Sequence, residues 1–540
     1  MTALRVTTAA ESAARDQAAI AAGVPSFELM RNAGSASAAL ILREYSDRLA
    51  HGVALYVGSG NNGGDAYIVA AQLARAGVSV RMQITAAPRT ADALRAKSIA
   101  DSYGAYSAPT GHERVVVDGL LGTGHRGALR DGIAAACARM AVARHAGATI
   151  VALDLPSGLD ASTGEIADGS VAAHDTLCFG TIKRGVLLAR AHAGRVVLLD
   201  IGLPHGDEGD ERDDGAVGDD GAHGDEGAHG DDHAWRLASA GALARWVPRV
   251  AWDAHKGRRG RVIVVGGQEG MAGAVVLASR GALAAGAGVV HALVEAPSVA
   301  AVQGQVPQAI AESWSARDTL RRCHAMAIGP GLGRDGSSAL LLRELFTALE
   351  GQAVVLDADA LWLIAMAARE DGMDAASWLR RWMSATSTVV CTPHVGEFAQ
   401  LLGHDVPLAW DARVDAVRAF AVRAGVTMLL KGTPTVVVAP QGRDTMVVPY
   451  GTPLLATGGS GDLLTGFLVA LMGQGMPPVR AAICAATVHG RAAELATARL
   501  GGVRGGTLEQ LLQAVPEAWR TVERPERLPP NVLAYLVAPQ

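Results

Sequence analysis

Aromatic residues are scarce here: 9 Trp, 7 Tyr and 6 Phe make up 4% of the 540 residues. Cores must therefore be built from small aliphatic side chains, packed helices and tight turns. Cysteine is scarcer still. The five (137, 178, 323, 391, 484) are scattered, odd in number and without a Cys-x-x-Cys pair. That argues against a disulfide frame or a zinc site and for buried thiols in a reducing compartment. Excess positive charge is missing too: the net charge of −5 offers no polybasic surface to nucleic acid or membrane. No apolar run reaches membrane-spanning length. From Met1 to Gly23 the chain carries Arg5, Glu11, Arg15 and Asp16 where a signal peptide would be apolar. The expectation is a cytoplasmic protein with no membrane or nucleic-acid partner.

What is present is length enough for two to four domains, and one stretch of evident chemistry. Thr457-Gly458-Gly459-Ser460-Gly461-Asp462 runs straight into the apolar segment Leu463–Leu471. Such a turn opens a helix whose unpaired N–H groups attract an anion, phosphate above all. Asp462 lies where it would repel that anion, unless it takes a proton from a hydroxyl attacking a phosphoryl group. The same carboxylate could also simply cap the helix.

Before that stretch, strand and helix patterns alternate twice over. In the first half, helices are expected at Ala9–Ala22 and Ser26–Arg43, broken by Pro25. Strands are expected at Val53–Val57, Val78–Ile84, Val115–Asp118, Thr149–Asp154, Thr176–Phe179 and Val196–Asp200, with a helix at Ala66–Ala76. This is an α/β pattern, a Rossmann-like doubly wound parallel sheet, and its ligands belong at the carboxyl ends of the strands. Three polar, glycine-rich turns fall there: Gly58–Asp65, Asp118–Gly124 and Asp154–Asp160. Residues 205–233 are acidic, glycine-rich and almost without apolar side chains, as expected of a disordered linker. Its His223, His229 and His233 could hold a metal loosely, or the segment is a solvated spacer. The second half repeats the alternation from Arg261 to Val438. Its strands end at Gly329–Gly333, Asp357–Leu361, Thr392–Glu397 and Lys431–Thr435. The domains expected are 1–204 and 234–525, with 526–540 as a tail.

These residues resemble two known families. Asn61-Asn62-Gly63-Gly64-Asp65, Val117–Gly124 and Leu153–Gly158 are similar to the signatures of the NAD(P)H-hydrate epimerases. Gly329–Gly333, Thr392–Glu397, Lys431-Gly432-Thr433 and Gly459–Asp462 resemble the ADP-dependent NAD(P)H-hydrate dehydratases, a branch of the ribokinase-like α/β/α fold. Both on one chain is the arrangement of the bifunctional nicotinamide nucleotide repair enzymes. Two positions depart from the family pattern: Ala66, where glycine is usual, and Arg31, where an acidic or amide residue is usual.

The resemblance implies the following sites. Asn61, Asn62, Gly63, Gly64 and Asp65, with Gly122, Thr123, Gly124, His125, Arg126, Gly127 and Ala128, would hold the hydrated dinucleotide. Asn62, Asp118 and Ser157 would hold potassium, and their oxygens suit a hard cation. Asp154, at a strand end, is the candidate acid/base group, although a turn cap would use the same residue. In the second half, Lys431, Gly432, Thr433, Pro434 and Thr435, with Gly459, Ser460 and Gly461, would bind ADP. Ala274, Gly331 and His394 would contact the hydrated NADH or NADPH. Asp462 would be the base, and magnesium is expected on the nucleotide. A homo-oligomer is expected. The alternative is a small-molecule kinase carrying an N-terminal nucleotide-binding module.

Overall fold

In the computed structural model, residues 3–104, 106–203, 234–315, 317–383 and 387–536 are described. The expected linker at 205–233, with its three histidines, lies outside the described residues. The chain forms two compact units. One comprises Leu4–Arg212 together with Arg527–Pro539, the other principally Asp213–Glu526.

In the first unit the sheet runs in the order Val532–Leu536, Arg195–Leu199, Asp175–Phe179, Thr149–Leu153, Val115–Gly119, Val53–Val57, Val80–Ile84. All neighbours are parallel except the first pair, which is antiparallel. The central strands are apolar runs buried on both faces, as parallel strands must be when helices cover both sides. Val53, Leu55 and Val57 face the helices Ser26–Glu44 and Asn61–Arg75, while Ala54 and Tyr56 face Asp131–His145. Chain order reverses at Val53–Val57, whose neighbours on either side both follow it in sequence, and this is where a crevice opens.

Two expectations change here. The Asn61–Asp65 segment is not a turn ahead of a helix at Ala66: the helix already begins at Asn61. The residues after 526 are also no plain tail, because Val532–Leu536 forms the edge strand of the first unit.

In the second unit the order is Ile310–Ser313, Val289–Val294, Arg261–Gly266, Ala325–Ile328, Ala353–Leu356, Val389–Cys391, Thr427–Leu430, Thr435–Val438, Thr445–Val448, Trp235–Ala238. Pairing is parallel as far as Thr427–Leu430. Thr435–Val438 is then antiparallel to both its neighbours, because its connections are too short for a crossover. The helix Ser460–Gly473 lies across Ala272–Ala284 at backbone contact. A methyl on Gly466 would fall 2.1 Å from the Ala278 carbonyl oxygen, and one on Gly281 2.5 Å from that of Leu463. These two glycines fix the helix that carries Asp462.

Candidate active sites

In the first unit the helix Asn61–Arg75 starts directly above the end of Val53–Val57. A methyl on Gly63 would lie 2.0 Å from the Gly58 carbonyl oxygen, so only glycine lets the helix approach the strand end this closely. A cavity of about 990 Å³ opens there, and all three expected turns reach it. Asn61, Asn62 and Asp65 line it from the first turn; Gly122, Thr123, Gly124, His125, Arg126 and Ala128 from the second; Asp154 from the third. Gly63 and Gly64 pack behind the wall, Gly64 against Met30, and Gly127 is not part of the lining.

Asp118 and Ser157 lie deeper. Ser157 Oγ donates to Asp118 Oδ1 (2.6 Å), and the Ser157 N–H to Oδ2 (2.8 Å). The Leu121 N–H donates to Ser157 Oγ (2.9 Å), while Asn62 Nδ2 donates to the Leu121 carbonyl (2.7 Å). Asn62, Asp118 and Ser157 thus meet around Leu121. Among the described residues Asn62 Oδ1 has no hydrogen-bond partner there, although it is buried. Burial pushes the Asp118 carboxyl up, and the hydrogen bonds from Ser157 and Leu120 oppose it only partly. An unpaired amide oxygen near an under-compensated carboxylate fits a cation.

Asp154 has φ 66, in the left-handed region that favours glycine. Its Oδ1 accepts from the Phe179 N–H (3.2 Å) and from Lys183 Nζ. Burial pushes the Asp65 carboxyl well up, and the Asp154 charge adds to that. Of the two departures from the family pattern, Arg31 points outward to pair with Glu28 (3.0 Å). Ala66 is fully buried, its methyl 2.6 Å from where a methyl on Gly119 would lie.

In the second unit Gly459, at φ 90, precedes the helix, and Asp462 stands in its first turn. Lys431 Nζ is 2.8 Å from Asp357 Oδ1 and 3.4 Å from Glu397 Oε2. Thr465 Oγ1 donates to Asp357 Oδ2 (2.7 Å). A methyl on Gly461 would be 3.3 Å from Lys431 Nζ, so the ammonium lies against the helix start. Burial and the charge of Asp357 push the Asp462 carboxyl up to about 7, against the pull of Lys431. Burial pulls the Lys431 ammonium down, but Asp357 and Glu397 outweigh it and the group is raised. Lys431 therefore serves two carboxylates.

His394 caps the helix Val395–Leu402: its Nδ1 accepts from Gly396 N–H (3.0 Å) and Glu397 N–H (3.2 Å). Ala274 and Gly331 adjoin, since a methyl on Gly331 would lie 3.2 Å from Ala274 Cβ. Gly432 and Thr433 are exposed and Pro434 is buried, with Thr435 Oγ1 donating to the Gly432 carbonyl (3.1 Å). A separate cavity of about 350 Å³ beside Trp314 contains none of these residues.

Four residues at these sites had been given no role from sequence: Lys183, Asp357, Glu397 and His489. Asp357 and Glu397 fall inside quoted motifs, so position alone could have flagged them. His489 is buried beside Ser460, its ring 5.8 Å from that of Phe467. Burial, with Lys431 adding, pushes its imidazole down to about 4.

Comparison with known proteins supplies the rest. Along 93% of its length the chain is 33% identical to a bifunctional NAD(P)H-hydrate repair enzyme of Moorella thermoacetica, covering 93% of that protein. The chain belongs to the bifunctional NAD(P)H-hydrate repair enzymes. A member from Pyrobaculum aerophilum is 34% identical over 89% of this chain and 91% of its own. The family described as "YjeF-related protein N-terminus" matches residues 26–185, and that described as "NAD(P)H-hydrate dehydratase" matches 262–516. Each match falls within one unit of this family member. A solved ADP/ATP-dependent NAD(P)H-hydrate dehydratase from Bacillus subtilis, crystallised with ATP/Mg2+, aligns at 26% identity and a TM-score of 0.46. That alignment covers 53% of this chain and 98% of that one. Among the described residues no helix is long and apolar enough to cross a membrane.

Proposed function

We propose that the two units act in succession on water-damaged nicotinamide dinucleotides. The first exchanges the R and S hydrates of NADH and NADPH. The second dehydrates the S hydrate at the expense of ADP. The observation that carries this reading is shared by both units: a carboxylate stands at a glycine-rich helix start or strand end, near a lysine that is buried in the first unit and half-buried in the second.

In the first unit, Asn61, Asn62, Asp65 and residues 122–126 with 128 hold the dinucleotide along the cavity. Asp154 moves the proton at the hydrated carbon, with Oδ1 tied down and Oδ2 free of hydrogen bonds. Asn62, Asp118 and Ser157 hold potassium, and the unpartnered Asn62 oxygen supports that assignment. Bound there, the ion offsets the charge of the substrate phosphates.

In the second unit, the backbone N–H groups of Gly459, Ser460 and Gly461 and the Lys431–Thr435 segment receive the nucleotide phosphates. Lys431 turns from its carboxylates to a phosphoryl oxygen. Asp462 takes the proton of the hydrate hydroxyl as that oxygen bonds to the terminal phosphorus of ADP and the bond to the bridging oxygen breaks, releasing AMP. Loss of inorganic phosphate from the hydrated carbon, with a proton from the adjacent ring carbon, then restores the ring double bond. Ala274, Gly331 and His394 contact the hydrate. Magnesium is assigned to the nucleotide phosphates, as phosphoryl transfer requires.

The test incubates full-length protein with mixed hydrate epimers, with and without ADP, following nicotinamide absorbance and phosphate release. The wild type should convert the whole sample only with ADP. Asp154→Ala should give a fast phase at the wild-type rate, then a slow phase limited by uncatalysed exchange. A wild-type trace from that variant removes Asp154 from the mechanism. Accumulation of a stable phosphoester in place of phosphate identifies a kinase instead.

A further inference from the structure

Lys183 is 1% exposed, yet it belongs to the wall of the first unit's cavity. It ends the short strand Ile182–Lys183, whose partner is Ala3–Thr7. Its Nζ donates to Asp154 Oδ1, to the Phe179 carbonyl (3.1 Å) and to the Thr181 carbonyl (3.2 Å). An ammonium has three protons, and here each has its acceptor. The Phe179 N–H reaches the same Asp154 oxygen, so both donors to that carboxylate land on Oδ1. Oδ2 receives none. The Asp154 backbone sits at a φ that an L side chain rarely adopts, a strain that persists only where surroundings over-determine it. The Lys183 contact and the Phe179 N–H are what fix the side chain.

Other titratable groups face Lys183 from every element packed against it. Asp16 comes from the helix Ala9–Ala21, Asp65 from Asn61–Arg75, and Cys178 from the strand Asp175–Phe179. Burial pulls the ammonium down, but Asp154, Cys178 and Asp16 together raise it. Burial pushes the Asp16 and Asp65 carboxyls up, and the charge of Asp154 pushes them further. Burial likewise drives the Cys178 thiol to about 12. Three carboxyl groups therefore compete for one buried cation, and the hydrogen bond goes to Asp154 alone.

We infer that Lys183 is a positioning residue of the epimerase reaction: it fixes the Asp154 side chain through Oδ1 and turns Oδ2 towards the substrate. Lys183 itself touches no substrate. With every ammonium proton committed, it neither gives nor takes one. This rests on the assignment of Asp154 to proton transfer.

The experiment uses the full-length chain, mixed epimers and ADP, so that the fast phase reports dehydratase action and the slow phase exchange. In Lys183→Met, exchange at neutral pH should fall roughly 10- to 100-fold in kcat with little change in KM. Lys183→Arg, which keeps a charged donor, should recover most of that kcat. Lys183→Gln, whose two amide protons cannot serve three acceptors, should behave like Lys183→Met and stands in for it if the methionine variant does not fold. A kcat that is the same in the Gln, Arg and wild-type proteins overturns the inference. Exchange at the wild-type rate in Asp154→Asn overturns instead the assignment on which it rests. An inactive Asp154→Asn alongside fully active Lys183→Met leaves that assignment standing and removes Lys183.

Discussion

Asp462 stands in the first turn of a helix, where the dipole favours negative charge, yet burial and Asp357 push its carboxyl up to about 7. A general base works only when ionised. The kcat/KM for dehydration should therefore fall about tenfold for each pH unit below about 7, measured as absorbance recovery at saturating ADP. Asp462→Asn should lower turnover by at least about 100-fold while ADP affinity by calorimetry stays within a few-fold. The same shift has a cost in stability. Below pH 3.8 the group is protonated both folded and unfolded and contributes nothing. As pH rises from there through about 7, the unfolded chain ionises more readily than the folded one, and the wild type loses stability. Asp462→Asn should escape that loss, its melting temperature pulling ahead of the wild type between pH 4 and 8. A variant no more stable at pH 8 than the wild type would falsify this account of the shift. The place of Asp462 in the first turn of a helix was legible in the sequence because its signal is local, a glycine turn followed by an apolar run. Lys183 was not. Its setting is assembled from helices and strands far apart in the chain, and nothing adjacent to it marks a lysine as buried.

The strand Val53–Val57, an unbroken apolar run, was legible to the residue. Burial on both faces leaves little choice of side chain along it. The strands that escaped notice, Ala3–Thr7, Trp235–Ala238, Ile310–Ser313 and Thr445–Val448, are short or of mixed polarity, while Val532–Leu536 is apolar but follows Pro529-Pro530 and stands outside the strand-helix alternation. The early start of the helix at Asn61 was hidden by its two glycines, which have low helix propensity and serve close packing instead. That packing explains why Ala66 is tolerated. Its methyl occupies the space in front of Gly119, which has no side chain. Gly119→Ala should destabilise the first unit by about 1–3 kcal/mol in urea unfolding, through overpacking. Adding Ala66→Gly should recover most of the loss, and simple additivity of the two changes would show that they do not share the space.

At the scale of the molecule, cutting the chain in the segment between the matched families does not leave the first unit whole. A fragment ending there lacks Val532–Leu536, with buried Val532 and Leu536 and the Tyr535 hydroxyl that accepts from Arg43 (2.8 Å). Ending the full chain at Glu526 should therefore lower epimer exchange and the first unit's melting temperature. The loss of two buried aliphatic side chains is worth roughly 3–6 kcal/mol. ADP-dependent dehydration of the S hydrate should persist. Equal losses of both activities would mean that the strand serves the second unit as well.

The position of that strand also sets a schedule for synthesis. Arg195–Leu199 is made early, but its antiparallel neighbour follows the whole second unit. At about 5–20 residues per second, the roughly 330 residues between them keep a sheet edge unpaired for on the order of tens of seconds. During that interval the nascent chain presents an open edge to any other strand nearby, its own kind on the same messenger included. Chaperone dependence, and sensitivity to premature termination, should thus fall on the half of the protein that emerges first.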